Sequence, residues 1–300
     1  MKSFSFLLSS IRRSTALVAL ALWLGGAGSA FAAGPLVLRV AVTALNGGGT
    51  DTLTLDDARL NGKPTAKLIV MHNFGTVGAR HNSPVGVQYI GAPVNRWRLV
   101  NENGALMKVE GDNSFNVLVS SAAARILASP ANSDGARCFF TAKKGKPDAR
   151  FLVTHVINPL PKKSNGTRLE DHLGVIYTSL LGTPTNNVWS VLSEEINPMV
   201  ATAFNVLDVT TAVRSFVHTA TALNITNNFT AISDPIADGN PNAIVFATHV
   251  VNPPGAATNF LAKAIGVFYL GGKWRIYLED PIALPVNTTF NVAVFAAATP

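Results

Sequence analysis

Three histidines and three glutamates recur at matching places along this chain and form its main candidate chemistry: His72 with Glu102, His155 with Glu194, and His249 with Glu279. An Asn accompanies each pair, Asn116, Asn205 and Asn291 in turn. A His and a Glu brought together can ligate a divalent cation through imidazole nitrogen and carboxylate oxygen, or act as a general acid and base. The competing expectation is structural: His hydrogen-bonded within a core strand, Glu closing the strand that follows, Asn closing a turn. Polar groups inside β cores are normally satisfied supports, and the spacing does not itself bring the pairs together, so the structural role is the expectation. No catalytic residue, metal ligand or cofactor is assigned on sequence grounds.

These residues belong to a longer pattern written three times. Gly62-Lys63-Pro64, Gly145-Lys146-Pro147 and Gly239-Asn240-Pro241 each precede an apolar run that carries the His. Gly86-Val87-Gln88-Tyr89, Gly174-Val175-Ile176-Tyr177 and Gly266-Val267-Phe268-Tyr269 come next, then Trp97, Trp189 and Trp274, each five residues before its Glu. Phe115-Asn116-Val117, Phe204-Asn205-Val206 and Phe290-Asn291-Val292 close the units. Self-similarity on this scale marks a repeat architecture. The boundaries that follow are a leader at 1–32 and units at 33–122, 123–210 and 211–300, each of about 85–90 residues.

The fold class is all-β. In the third unit, β-branched and aromatic residues cluster or alternate without helical periodicity, which predicts strands over 215–221, 228–232, 243–251, 265–270, 274–278 and 289–295. Gly271-Gly272 between two of them predicts a tight hairpin. Three tandem β-sandwich-like units are the first expectation, and a single body with pseudo-threefold symmetry is the alternative.

Asp238-Gly-Asn-Pro-Asn-Ala-Ile-Val-Phe246, Thr248-His-Val-Val-Asn-Pro253, Gly266-Val-Phe-Tyr269, Trp274 and Phe290-Asn-Val292 resemble a family of uncharacterised secreted bacterial repeat domains. The resemblance implies a secreted β-repeat architecture and brings no catalytic residue with it. The first unit departs most, with Met71-His72-Asn73-Phe74-Gly75 where the others read Thr-His-x-x-Asn.

Composition bounds the rest. At 48% hydrophobic and 14% charged, with mean hydropathy +0.27, the chain can bury a large core, which excludes a disordered tail. The lone Cys138 forms no intrachain disulfide and is expected to be buried beside Phe139 and Phe140. Residues 1–32 carry Lys2, Arg12 and Arg13, an apolar run from Ala16 to Leu24 and the small-residue site Ala30-Phe31-Ala32, the pattern of a cleaved export signal. A net charge of +7 without long basic clusters gives no nucleic-acid footprint, and no later segment is apolar enough to predict a membrane span.

The functional expectation is a secreted, non-enzymatic, multivalent binding or adhesion protein at the cell envelope or outside the cell. Its partner would be an envelope or extracellular glycan or a protein, since linked sites raise avidity. A structural or self-assembling surface component is the alternative, and a hydrolase acting on an extracellular polymer stands behind both. Candidate ligand-binding residues are Trp97, Trp189 and Trp274, if exposed for stacking on sugar rings, and the basic loop carrying Lys162, Lys163 and Arg168. Burial as core anchors is the competing expectation for the Trp residues.

Overall fold

The computed structural model describes residues 34–158, 166–180, 183–199, 202–211, 214–254 and 257–300, with the side chains of 180–186 left aside. The export signal expected over residues 1–32, and Lys162 and Lys163, lie outside the described residues. Residues 34–300 form one compact unit.

The first repeat supplies β1 (Leu36–Ala41), β2 (Thr52–Thr54), β3 (Leu68–Asn73), β4 (Val85–Ile90), β5 (Arg96–Asn101) and β6 (Ser114–Val119). The second supplies β7 (Ala124–Leu127), β8 (Arg137–Phe140), β9 (Phe151–Val156), β10 (Leu173–Leu180), β11 (Thr183–Ser193) and β12 (Ala203–Asp208). The third supplies β13 (Arg214–Thr219), β14 (Ile225–Thr226), β15 (Phe229–Ala231), β16 (Ile244–Val250), β17 (Ile265–Leu270), β18 (Lys273–Leu278) and β19 (Thr289–Phe295). The protein is all-β, and no helix occurs among the described residues. All six strands expected in the third repeat are present, joined by the two-residue β14. Gly271 and Gly272, with φ of 58° and 79°, make the two-residue turn that sets Leu270 opposite Lys273.

Each repeat is folded as two facing half-sheets, yet no sheet belongs to one repeat. The orders are β1-β6-β3-β17-β18-β15-β14, then β13-β19-β16-β10-β11-β8, then β2-β5-β4-β9-β12-β7. One half of each repeat therefore hydrogen-bonds to the repeat before it and the other half to the repeat after it, and the third closes back onto the first. Of the two arrangements open from the sequence, sandwich-like units are retained within a single pseudo-threefold body, and units standing as separate sandwiches are not formed. The three joints are short parallel pairings with the same register: Gly86 opposite His155, Gly174 opposite His249 and Gly266 opposite His72.

This arrangement explains why the His strands read as continuous apolar runs. One face of β9 points into its own repeat, where Phe151 and Val153 pack with Trp189 and Phe204. The other face meets neighbouring repeats, where Leu152 joins Ile69, Leu118, Leu207 and Val245 in a shared core. Burial on both faces is what a run without alternation means. Every residue of β16 is accordingly buried.

Trp97, Trp189 and Trp274 are each 1% exposed, so none can stack on a sugar ring, and the core-anchor role is the one they fill. Each indole Nε1–H donates over 2.9 Å to the carbonyl of Lys63, Lys146 or Asn240, the middle residue of the Gly-x-Pro turn. The Gly of that turn has a φ of 68–70° in all three repeats, a left-handed backbone that favours glycine. Cys138 is buried, and burial pushes its thiol up to about 12, so it is an inert core side chain.

Candidate functional site

The repeated His and Glu do come together, but across joints rather than within repeats. His155 Nδ1 lies 2.8 Å from both carboxylate oxygens of Glu102, and His249 Nδ1 lies 2.8 Å from Glu194 Oε1. His72 Nδ1 lies 2.5 Å from Glu279 Oε1, closing the ring between the last repeat and the first. All six side chains are buried. The second oxygen of each Glu accepts backbone N–H groups from the loop entering the next Gly strand: Leu169 for Glu102, Leu261 and Ala262 for Glu194, His81 for Glu279.

The Gly facing each His makes room for this. A Cβ on Gly86, Gly174 or Gly266 would stand 2.5–2.7 Å from the Oε1 of Glu102, Glu194 or Glu279. The Gly of the Gly-Val-x-Tyr motif is thus a close-approach glycine serving the carboxylate, a role the sequence signalled only through its threefold recurrence.

The Asn residues also join repeats. The Nδ2 groups of Asn116, Asn205 and Asn291 donate to the carbonyls of Val245, Leu68 and Phe151, each on a neighbouring repeat's His strand or at its start. Thr154 Oγ1 accepts from Val70 N–H, and Thr248 Oγ1 accepts from Val153 N–H. Asn158 and Asn252 each exchange two hydrogen bonds with the backbone of Tyr89 and Tyr177. The Thr-His-x-x-Asn motif is therefore an inter-repeat adhesive, and Met71 and Gly75 in the first repeat lack both functions.

Arg168 was a candidate ligand arm, and the structure places it elsewhere: Nη1 donates 3.0 Å to the Asn101 carbonyl, and Nη2 pairs with Asp51 of the first repeat. Arg80 makes the equivalent reach to the carbonyls of Leu278 and Glu279. Arg39 and Arg125 reach other repeats too, lying 5.4 Å and 5.6 Å over the rings of Trp274 and Trp97.

The joint between the third and first repeats has diverged most. Tyr277 stands where the other repeats have Val100 and Leu192, and its hydroxyl donates 2.7 Å to Glu279 Oε1. Burial pushes the Glu279 carboxyl up, but the charge of His72 and hydrogen bonds from His72, the His81 N–H and Tyr277 together hold it below its ordinary value. Burial, and next the Glu279 charge, raise the Tyr277 hydroxyl, so it stays a donor. The His81 ring lies 5.0 Å from that of His72, and burial first, with the His72 charge second, lowers it to about 4.

The His–Glu pairs also differ in their outer ring nitrogen. His72 Nε2 bonds Asn113 Oδ1 at 2.6 Å, and Asn113 is oriented by its Nδ2 donating to Lys108 carbonyl. Thr202 and Thr288 occupy that place in the other repeats, and the Nε2 atoms of His155 and His249 are buried without a hydrogen-bond partner among the described residues. Asn113→Thr should therefore orphan His72 Nε2 and cost about 1–3 kcal/mol. Thermal unfolding compared with the unmutated protein checks it, and an unchanged midpoint would sink the assignment.

At the meeting of the three His strands lies a cavity of about 110 Å³ lined by all three repeats. Its wall includes Met71, Thr154 and Thr248, and Ser83, Asp171 and Lys263 occupy equivalent places on the loops around it. Among the described residues, no three His, Cys, Asp or Glu side chains are grouped to hold a metal ion.

The family of repeat domains described as Domain of unknown function (DUF7452) matches this chain three times, over residues 31–119, 93–207 and 180–294. The chain belongs to that family. Each match ends on a Phe-Asn-Val strand, and the second and third begin ahead of the preceding repeat's Trp strand. The second match thus contains both Glu102 and His155, and the third both Glu194 and His249, while the facing Gly86 and Gly174 lie ahead of them. No curated protein and no solved structure matches the chain.

Proposed function

We propose that this DUF7452 protein is a secreted, non-enzymatic β-repeat protein that binds a partner at the cell envelope or outside the cell. The observation that carries this reading is how the residues are partitioned. Every repeated His, Glu and Trp is buried in a joint or a core, while large apolar side chains stand exposed on loops. Leu45, Val77 and Leu106 do so in the first repeat, and Leu223, Ile282 and Val286 in the third. Apolar side chains exposed on loops are available for contact with a partner. Export is supported by the leader pattern of residues 1–32.

The protein 33–300, purified intact because the repeats share sheets, should be retained saturably by an envelope fraction of the producing cell or by a glycan array. Absence of retention on both would overturn the reading. A self-assembling role is the second reading, favoured by β13, the outer strand of its sheet, with Val217 49% exposed. Sizing across concentrations separates the two, since assembly makes the species grow with concentration.

A further inference from the structure

We propose that the cavity where the three His strands meet is a binding site for a small primary ammonium on a short alkyl stem. The inference goes beyond the envelope-binding reading and does not depend on it. The cavity holds about 110 Å³, room for several waters or for one molecule of about five heavy atoms. Val70, Met71, Val153 and Ala247 give it an apolar wall. His172 and Lys263, with side chains 18% and 37% exposed, stand where it opens between the loops.

The charged groups of the wall are matched, with one exception. Glu102 and Glu194 are held by His155 and His249 and by loop N–H groups, and Lys263 pairs with Asp280 at 2.8 Å. Asp171 is 7% exposed, yet it accepts only from neutral groups, Ser193 Oγ–H at 2.6 Å and Asn197 Nδ2–H at 2.7 Å. It forms no ion pair among the described residues. A carboxylate offers about four acceptor positions, so about two remain. Burying a carboxylate without a cation is costly, and a cationic ligand would relieve that cost. Beside it, His172 Nδ1 faces the Glu195 carboxylate, and His172 Nε2 is buried without a hydrogen-bond partner among the described residues. With Nδ1–H donating, the neutral ring leaves Nε2 as a second acceptor. The scaffold accepts other residues in these two places, Ser83-Pro84 in the first repeat and Lys263-Ala264 in the third.

Two acceptors at the rim of an apolar wall suit an ammonium head carried on an alkyl stem. An anion fits less well, because Lys263 is neutralised by Asp280 and the N–H groups of Leu169, Leu261 and Ala262 are taken by Glu102 and Glu194. A divalent cation needs several oxygen or nitrogen ligands, and no three His, Cys, Asp or Glu side chains are grouped to supply them among the described residues.

The test titrates n-butylammonium chloride into the intact protein 33–300, read by calorimetry and by the nitrogen NMR shifts of the His172 ring, with n-butanol as the uncharged control. The expected result is saturable binding of about millimolar strength, a moving His172 signal, and n-butanol weaker by about tenfold or more. Asp171→Asn keeps the shape but removes the charge, and should weaken n-butylammonium by a similar factor. Thr248→Met copies Met71 of the first repeat, fills the wall and should abolish binding. Absent binding, equal binding of alcohol and amine, or binding indifferent to Asp171→Asn would overturn the proposal. The comparison of alcohol with amine decides it on the unmutated protein should a variant fail to fold. Nα-acetyl-lysine methylamide then separates two sources of this chemistry: binding as tight as that of n-butylammonium assigns the site to a partner's lysine side chain, and binding of n-butylammonium alone assigns it to a free amine. Retention on the envelope fraction is measured separately, so either reading can fail without the other.

Discussion

Gly86→Ala is expected to lower the stability of the folded body by about 3 kcal/mol and its unfolding midpoint by about 6–12 °C. The backbone at Gly86 is not left-handed, so the cost does not come from φ. It comes from the carboxylate: the new Cβ would sit 2.5 Å from Glu102 Oε1 and 2.9 Å from its Cδ. Glu102 has no freedom to retreat, because one side of its carboxylate is held by His155 and the other by Leu169 N–H. Displacing it strips a buried imidazole and a buried amide of their partner, the costly way to break such a pair. The distinguishing measurement is a double-mutant cycle. With Glu102→Ala already in place, Gly86→Ala should cost no more than about 1 kcal/mol, a coupling of about 2 kcal/mol. Equal costs in both backgrounds would mean that Gly86 serves some other contact.

Stability should fall as the medium is acidified from about pH 6.5 to about pH 4, more steeply than carboxylate titration alone would give. His81 is held at about 4 by burial first and by the His72 charge second, while Glu279 and the Asn101 hydrogen bond pull the other way and Lys108 adds to the lowering. His218 is also held at about 4, by burial. In the unfolded chain both rings take up a proton near pH 6.5. A lowered folded value means that the unfolded state binds more protons throughout that window. The contribution is therefore complete above pH 6.5, declines as pH falls, and is exhausted near pH 4. For His81 the difference corresponds to about 3 kcal/mol. Leu169 and Leu261 occupy the equivalent place in the other repeats, so His81→Leu is a substitution the fold already accommodates. Unfolding midpoints measured at pH 7.5 and pH 4.5 should lie closer together in His81→Leu than in the unmutated protein. An identical pH dependence would show that His81 is not buried in its neutral form.

The repeat pattern and the strands of the third repeat were legible because they rest on local physics. A Gly-Gly pair turns a hairpin, β-branched and aromatic runs extend, and the Trp before each Glu recurs wherever the core needs a large anchor. Leu45 and Leu223 were also written there, in Thr-Ala-Leu-Asn at 43–46 and 221–224, but exposure is not a property of a tetrapeptide. Arg168 illustrates the opposite failure. It sits in a basic loop and reads as an arm for a ligand, yet its partner Asp51 lies in another repeat, at a sequence distance that no pattern within a unit can bridge.

By itself the sequence determined the all-β class, the threefold recurrence, and the set of His, Glu, Asn, Trp and Gly positions that each repeat must supply. Only the tertiary structure decided how those positions are spent, because hydrogen-bond partners across a joint are chosen by sheet pairing, not by spacing along the chain. His155 could have met Glu194 of its own repeat, and it meets Glu102 of the one before, since β9 pairs with β4 and places Gly86 beside the imidazole. That choice turns three apparent sites into three buried fasteners and leaves the exposed loops and the central cavity as the places where function can be sought.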